Sequence, residues 1–458
     1  MSDTDTKPQT TKLSPAIEAL LRDIDGVPVL LDGPSVRRKS RDYFWYSPIL
    51  NEQLVAKFAD VIVFPRDEAD VVRVASACAR HGVPLTPRGG GTGNYGQCVP
   101  LEGGVVLDLI KMNQILSFEP GRISVEPGAK LVDIDTHMRP KGWELRIHPS
   151  TKRTATMAGF VAGGSGGIGS VTYGGLREPG NILGVRVVTL EETPRILELE
   201  ADAAQKVNRA YGTTGIITRV DMPLGPAWEW IDVAIAFDHF MDAVRFGHEL
   251  ALADGVIKKL VSASAAPLGS HFTPLGKLVP EGASLLCCMI ARPSLVSFKD
   301  MLGTRGTIIL EEDFDETPGH TPVYEYSWNH TTLQVLKSDR GVSYLQTLFP
   351  HDRLQDAVEK MTNMFADEQM QHIEFIRFGG RLTCSGLPVI RYTSAERMNE
   401  IIRLHEENGV FVANPHVYTL EDGSRHKRAD ADQLGFKHDV DPRGLLNPGK
   451  MRSFVARV

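Results

Sequence analysis

Glycine crowds into two stretches of this chain, residues 82–104 and 159–184, and that unevenness narrows the folds open to it more than any other feature. Closely spaced glycines remove side chains, so backbone N–H groups can approach an anion. The φ > 0 conformations open to glycine let successive N–H groups converge on it. With 43 Gly and 28 Pro in 458 residues the chain exceeds an average combined share of roughly 12%. Its 42% hydrophobic and 23% charged residues exclude wholesale disorder. At roughly 150 residues per domain the length implies about three domains, or two large ones. A formal charge of −7 supplies no basic field for nucleic acid or anionic lipid, so no nucleic-acid partner is expected.

The first cluster has a definite context. An apolar strand is predicted at Val61–Pro65. A helix follows over Asp67–His81, with an acidic first turn and Gly82 as its stop. The strand Val83–Pro87 then runs into RGGGTGN, Arg88 to Asn94. A Rossmann turn must open a helix, but here YGQCVPLEGG and the extended GGVVLDL (Gly103–Leu109) follow, which excludes it. No Lys-Ser/Thr follows the glycines, which excludes a P-loop. Further strands are predicted at Ile123–Ala129, Gly184–Leu190 and Gly215–Met222, and a helix over Lys130–Lys141.

The second cluster, Pro149 to Gly174, makes another backbone-rich wall, with Thr151, Thr154, Thr156, Ser165 and Ser170 as added donors. Two such walls can grip a long cofactor along its length. Within it, Thr154–Leu176 is 23 residues without a charge, long enough to span a bilayer. Eight of them are glycine, however, so helix propensity and transfer energy are both poor. The segment is expected to be a buried loop region and not a membrane span.

The five cysteines, Cys78, Cys98, Cys287, Cys288 and Cys384, are odd in number and lack CxxC spacing. They read as the reduced thiols of a cytoplasmic protein. Residues 1–14 lack the basic and apolar regions of a secretory signal and read as a short disordered tail. A boundary is expected at Met222–Trp230, which holds two prolines and a glycine.

Taken together, Val63–Asn94, LEGGVVLDL (Leu101–Leu109), VEPGA (Val125–Ala129), PSTKRTATMAGFVAGGSGGIGS (Pro149–Ser170), YGTTGIIT (Tyr211–Thr218) and DPRGLLNPGKM (Asp441–Met451) carry a family resemblance. The chain resembles the FAD-linked oxidases of the vanillyl-alcohol oxidase / p-cresol methylhydroxylase (PCMH-type) superfamily, in the group that includes glycolate oxidase subunits and D-lactate dehydrogenases. The resemblance implies an α+β fold: a tail and lead-in over 1–54, then a PCMH-type FAD-binding domain of two α/β subdomains over 55–225. A substrate cap over 226–430, an antiparallel sheet flanked by helices, and a return to the FAD domain over 431–458 complete it. It implies that Arg88, Gly89, Gly90, Gly91, Thr92, Gly93 and Asn94 grip the pyrophosphate together with Thr156, Gly159, Gly166, Gly167, Ile168 and Ser170. The adenosine end would lie near Glu126–Gly128 and Gly215, Ile216 and Ile217, and Asn447 and Lys450 would return to the flavin. The superfamily often tethers flavin to a His or Cys. Thr92 stands where the first-loop His would be, and no Cys lies between Cys98 and Cys287, so FAD is expected to be non-covalent.

Cap strands are predicted at Trp228–Ile235, Ser284–Ala291, Tyr324–Trp328, Ile373–Phe378 and Gly409–Ala413. Oxidation of a CH–OH donor by hydride transfer to flavin N5 needs a proton acceptor, and an Arg could hold a substrate carboxylate. The candidates are Tyr326 and His330 in YEYSWNH, Arg377 in RFGGR and His416 in ANPHVY. Hydroxy-acid dehydrogenases of the group carry a metal-binding His cluster that this sequence lacks. No metal is therefore expected, and an alcohol, a phenolic alcohol or a hydroxy acid remains open as the small-molecule substrate. The electron acceptor would be oxygen or a separate carrier, and a homodimer is compatible with this reading. Two other readings stand beside it: a flavin-bearing subunit of an electron-transfer complex, and a flavin-binding protein without catalysis.

Overall fold

The computed structural model describes residues 13–164, 166–421 and 431–456, so most of the expected tail and Ser165 lie outside the described residues. The chain begins its described course with three helices, Pro15–Asp23, Gly33–Lys39 and Pro48–Leu54, each capped by a preceding Ser or Asp side chain that accepts a backbone N–H. Ile17 and Leu20 pack with Val71 and Val74 of the next long helix, tying the lead-in to the first core.

That helix, Glu68–His81, starts where the Asp67 carboxylate accepts the Asp70 N–H and ends at Gly82 with φ +64. It connects parallel strands of a four-stranded sheet, ordered Val29–Leu30, Val61–Val63, Val105–Asp108, Leu85–Arg88. Between Arg88 and Val105 the chain forms no helix, as the sequence predicts. A second, antiparallel sheet orders Ile115–Glu119, Arg122–Val125, Ile216–Pro226, Gly184–Val188 and Ile196–Glu200, with Trp143–Leu145 pairing the far end of Ile216–Pro226. The uncharged stretch 154–176 folds as two short helices, Met157–Gly163 and Ser170–Tyr173, joined by glycine turns. Among the described residues no helix is long and apolar enough to cross a membrane.

The third sheet is antiparallel with eight strands: Thr307–Asp313, Trp230–Phe237, Ser284–Ala291, Lys258–Ser264, His372–Phe378, Arg381–Gly386, Thr347–Leu348 and Phe411–Val412. Its strands Trp230–Phe237 and Ser284–Ala291 are buried on both faces, which is why they read as nearly continuous apolar runs. Ile231, Val233, Ile235 and Phe237 meet helices Phe240–Leu252 and Leu354–Met364 on one face, while Trp230 and Ala234 face the other way. The same alternation sends the adjacent Cys287 and Cys288 to opposite faces, where both remain free thiols.

One expected strand is absent. Tyr324–Trp328 lies in a 3₁₀ turn, Val323–Tyr326, because side chains capture its backbone: Asp232 accepts the Val323 N–H at 2.9 Å and Glu374 accepts the Trp328 N–H at 2.7 Å. Four strands of the eight-stranded sheet went unpredicted, Lys258–Ser264, Thr307–Asp313, Arg381–Gly386 and Thr347–Leu348.

Candidate functional site

A cavity of about 670 Å³ runs between the two glycine walls and the inward face of the cap sheet. Its size falls within the range of cofactor and ligand sites. Arg88 to Asn94 line it from one side, and Thr156, Gly159, Gly166 and Ser170 from the other. The walls touch where glycine is obligatory. A Cβ at Gly89 would strike the Thr156 hydroxyl, and one at Gly90 would strike the Thr154 carbonyl. The Thr156 hydroxyl is buried without a hydrogen-bond partner at the start of helix Met157–Gly163, facing the cavity. An orphaned donor, a side-chain-free backbone loop and an open slot suit a diphosphate, so the residues present fit an FAD pyrophosphate. Gly215 and Pro127 line the same cavity.

Other expected cofactor residues stand behind the wall instead of lining it. Gly167 leaves no room for a Cβ against the His148 carbonyl, Ile168 packs in the core beside it, and Ile216 is buried in the first core. Asn447, at φ +44, donates to the carbonyls of Gln97 (2.8 Å) and Tyr211 (2.6 Å), and Lys450 donates to the Gly96 carbonyl at 2.6 Å. These two side chains clip the glycine loop from its rear. Burial lowers the Lys450 ammonium to about 8, and it raises the neighbouring Asp42 carboxyl, whose Oδ2 has no partner. Cys98 also lines the cavity, and burial pushes its thiol to about 11 despite the adjacent Arg88 guanidinium.

The four expected catalytic side chains do not converge. His330 lines the cavity, with its Nδ1 2.8 Å from the Glu325 carboxylate, and Glu325 in turn accepts from Arg153 Nε at 3.1 Å. Nδ1–H donation to Glu325 leaves Nε2 of a neutral ring as the acceptor. Arg377 reaches the cavity rim but pairs with Asp254 at 2.9 Å. Tyr326 stacks on Phe272, with centroids 5.2 Å apart, and lies away from the cavity lining. His416 is buried outside it as well: Nε2–H donates to the Tyr344 carbonyl at 3.0 Å, and Nδ1 accepts from the Ser47 hydroxyl at 2.7 Å. Burial drops its pKa to about 4, so the ring is neutral with both nitrogens committed.

Sequence reasoning missed the aromatic and polar wall facing the glycines: Tyr43, Tyr46, Tyr95, Arg209, Tyr211 and Trp328. Trp328 adopts φ +53, which places its ring against Gly166, and its buried indole N–H has no partner. The strained backbone is held by Glu374, which also accepts from His372 at 2.8 Å and Ser262 at 3.1 Å. Among the described residues no group of three His, Cys, Asp or Glu could hold a metal ion.

Residues 59–198 match the protein family described as "FAD binding domain". Glycolate oxidase subunit GlcD of Bacillus subtilis (strain 168) is 29% identical over 216 residues, 45% of this chain and 44% of that protein. A protein named "Probable D-lactate dehydrogenase, mitochondrial" of Danio rerio is 30% identical over 198 residues, 40% of this chain and 39% of that one. The chain thus spans less than half the length of these two curated relatives. Among solved structures, an alkyldihydroxyacetonephosphate synthase superposes with TM-score 0.71 at 16% identity, covering 98% of this chain and 88% of that one, which establishes a shared fold.

Proposed function

From the premise that this chain carries, over residues 59–198, an FAD-binding domain of the PCMH-type flavoprotein superfamily, we propose that it oxidises a CH–OH donor lying between the glycine walls and the cap sheet. The observation that carries this reading is the cavity shared by both walls and the cap, with His330 presented to it by Glu325. The names of the relatives, a glycolate oxidase subunit and a D-lactate dehydrogenase, support the same donor class.

The bound flavin supplies a two-electron acceptor for hydride from the donor carbon. Gly89 to Gly93 and Thr156 hold the diphosphate. His330 Nε2 takes the donor's hydroxyl proton, and Glu325 orients the ring and stabilises the imidazolium that results. Trp328, Leu333 and Phe411 contribute apolar surface to the cap side of the cavity. The cofactor is held without a covalent bond, because the high thiol pKa keeps Cys98 protonated and Thr92 offers no comparable nucleophile. In this reading residues 55–225 bind FAD, 226–430 form the cap, and 431–458 return to brace the glycine loop. Oxygen or a separate carrier takes the electrons away.

Anaerobic mixing with a panel of hydroxy acids and aromatic alcohols tests this. At least one donor bleaches the flavin band of the native protein, and His330→Gln slows bleaching by roughly 10²–10⁴-fold with flavin content unchanged. Failure of every donor to bleach the flavin overturns the proposal.

A further inference from the structure

Five arginines line the cavity, Arg88, Arg153, Arg177, Arg209 and Arg377, and they differ in what faces them. Arg88 lies 3.9 Å from Asp108, Arg153 is 3.1 Å from Glu325 and Arg377 is 2.9 Å from Asp254. Arg209 also lines the cavity, but among the described residues no carboxylate pairs with it. Its neighbours are hydroxyls: it stands beside those of Tyr211 and Tyr95, and Asn329 and Gln346 from the cap stand near the Tyr95 hydroxyl. All of these side chains line the same cavity.

The backbone is arranged to hold this constellation. Arg209 and Tyr211 both sit at φ +54, a left-handed conformation that strains non-glycine residues. They persist there because the Arg209 N–H donates to the Val161 carbonyl, the Tyr211 N–H to Ala162, and Asn447 grips the Tyr211 carbonyl. Gly164 lacks the Cβ that would collide with the Arg209 Cβ. These supports fix the backbone that carries the guanidinium, and Trp328 lines the same cavity.

Position separates this group from the diphosphate cradle. Gly89 and Gly90 meet the chain at Thr154–Thr156, the start of helix Met157–Gly163, while Arg209 docks on its last turn. Seven residues at 1.5 Å each put about 10 Å between the two ends. At the Arg209 end the facing wall is the cap.

We propose that Arg209, with the hydroxyls of Tyr95 and Tyr211, forms an anion subsite that holds a carboxylate of the donor. The inference rests on the CH–OH reading above and narrows it to donors bearing a carboxylate. It assigns specificity to the flavin-side wall and not to Arg377, whose charge is already answered by Asp254.

The test uses the flavin-loaded protein with oxalate and its uncharged diamide, oxamide, followed by the flavin difference spectrum. Oxalate is expected to bind and oxamide to bind at least tenfold more weakly. Arg209→Gln should weaken oxalate by roughly 10–100-fold, the loss of a charge-assisted pair, with Arg209→Lys recovering part of it and Tyr211→Phe losing a smaller factor. FAD affinity, measured by titrating the apoprotein, should not change. Oxalate binding unaffected by Arg209→Gln, no oxalate binding by the native protein, or loss of FAD in place of oxalate each overturns the proposal; the last assigns Arg209 to the cofactor's phosphates. If oxalate binding depends on Arg209 while no donor bleaches the flavin, the anion subsite stands and the redox reading falls.

Discussion

At residue scale the glycines of the first loop were legible, whereas which of the candidate histidines faces the cavity was not, for the same physical reason. A missing side chain is recorded in the sequence itself, and both Gly89 and Gly90 press against the opposite wall as a tight backbone cradle requires. Whether a histidine faces a cavity or a core depends on packing: His330 and His416 look alike in sequence, yet one meets Glu325 at the cavity and the other is sealed between Ser47 and Tyr344. The cradle makes a definite prediction. Gly90→Ala drives a methyl into a backbone carbonyl that cannot swing aside, and overpacking of this kind costs about 1–3 kcal/mol. Flavin titration of the apoprotein should show FAD affinity falling by roughly 5–150-fold. Gly435→Ala, in a helix with open space around it, should leave that affinity unchanged.

At the scale of elements, strands with plain apolar runs were readable, and Ser284–Ala291 has the predicted bounds. The alternating YEYSW pattern misled because Asp232 and Glu374, distant in sequence, take up the backbone donors a strand would have paired. Elements are also joined by buried charge. Lys152 is 2.7 Å from both Asp135 and Glu316, and the Tyr324 hydroxyl donates to Glu316 at 2.7 Å, linking the helix Leu131–Met138 to the cap. Asp135 is held below the usual carboxylate range by Lys152, against the opposing effect of burial, and Lys152 is raised by the two carboxylates. The signs set a pH window. Stability from Asp135 is complete above the ordinary carboxyl value near 4 and is lost as pH falls through its lower folded value. Stability from Lys152 is complete below about 10.4 and is lost as pH rises through its higher folded value. Lys152→Met, which strands two carboxylates, should cost about 3–5 kcal/mol in urea unfolding at pH 7. That penalty should shrink as pH drops below about 4.

For the whole molecule, the resemblance pointed to one cofactor gripped by two walls, while the cap's contribution to the same cavity emerges only when distant strands are assembled. A ligand enclosed by several parts stabilises all of them in proportion to its affinity and concentration, about 2.7 kcal/mol at a hundredfold excess over Kd. Removing FAD should therefore lower the melting temperature by several degrees and restore it on readdition. Acid precipitation should release all the yellow colour into the supernatant, and colour retained on the pellet would rule out a non-covalent site.

The edge of the first sheet is finished by the last stretch of the chain: Leu446 bridges Leu85 in parallel, the Leu85 N–H donates to Leu445 at 2.8 Å, and the Asn447 N–H donates to Leu85 at 2.7 Å. On the ribosome those residues are made only after some 220 others beyond the end of the second sheet, roughly 10–40 s later at bacterial and eukaryotic rates. Through that interval the nascent protein holds its first sheet with an open margin and an unbraced glycine loop. A chain stopped before Leu445–Asn447 would lack the pairing that closes this edge and the side chain that braces the glycine loop.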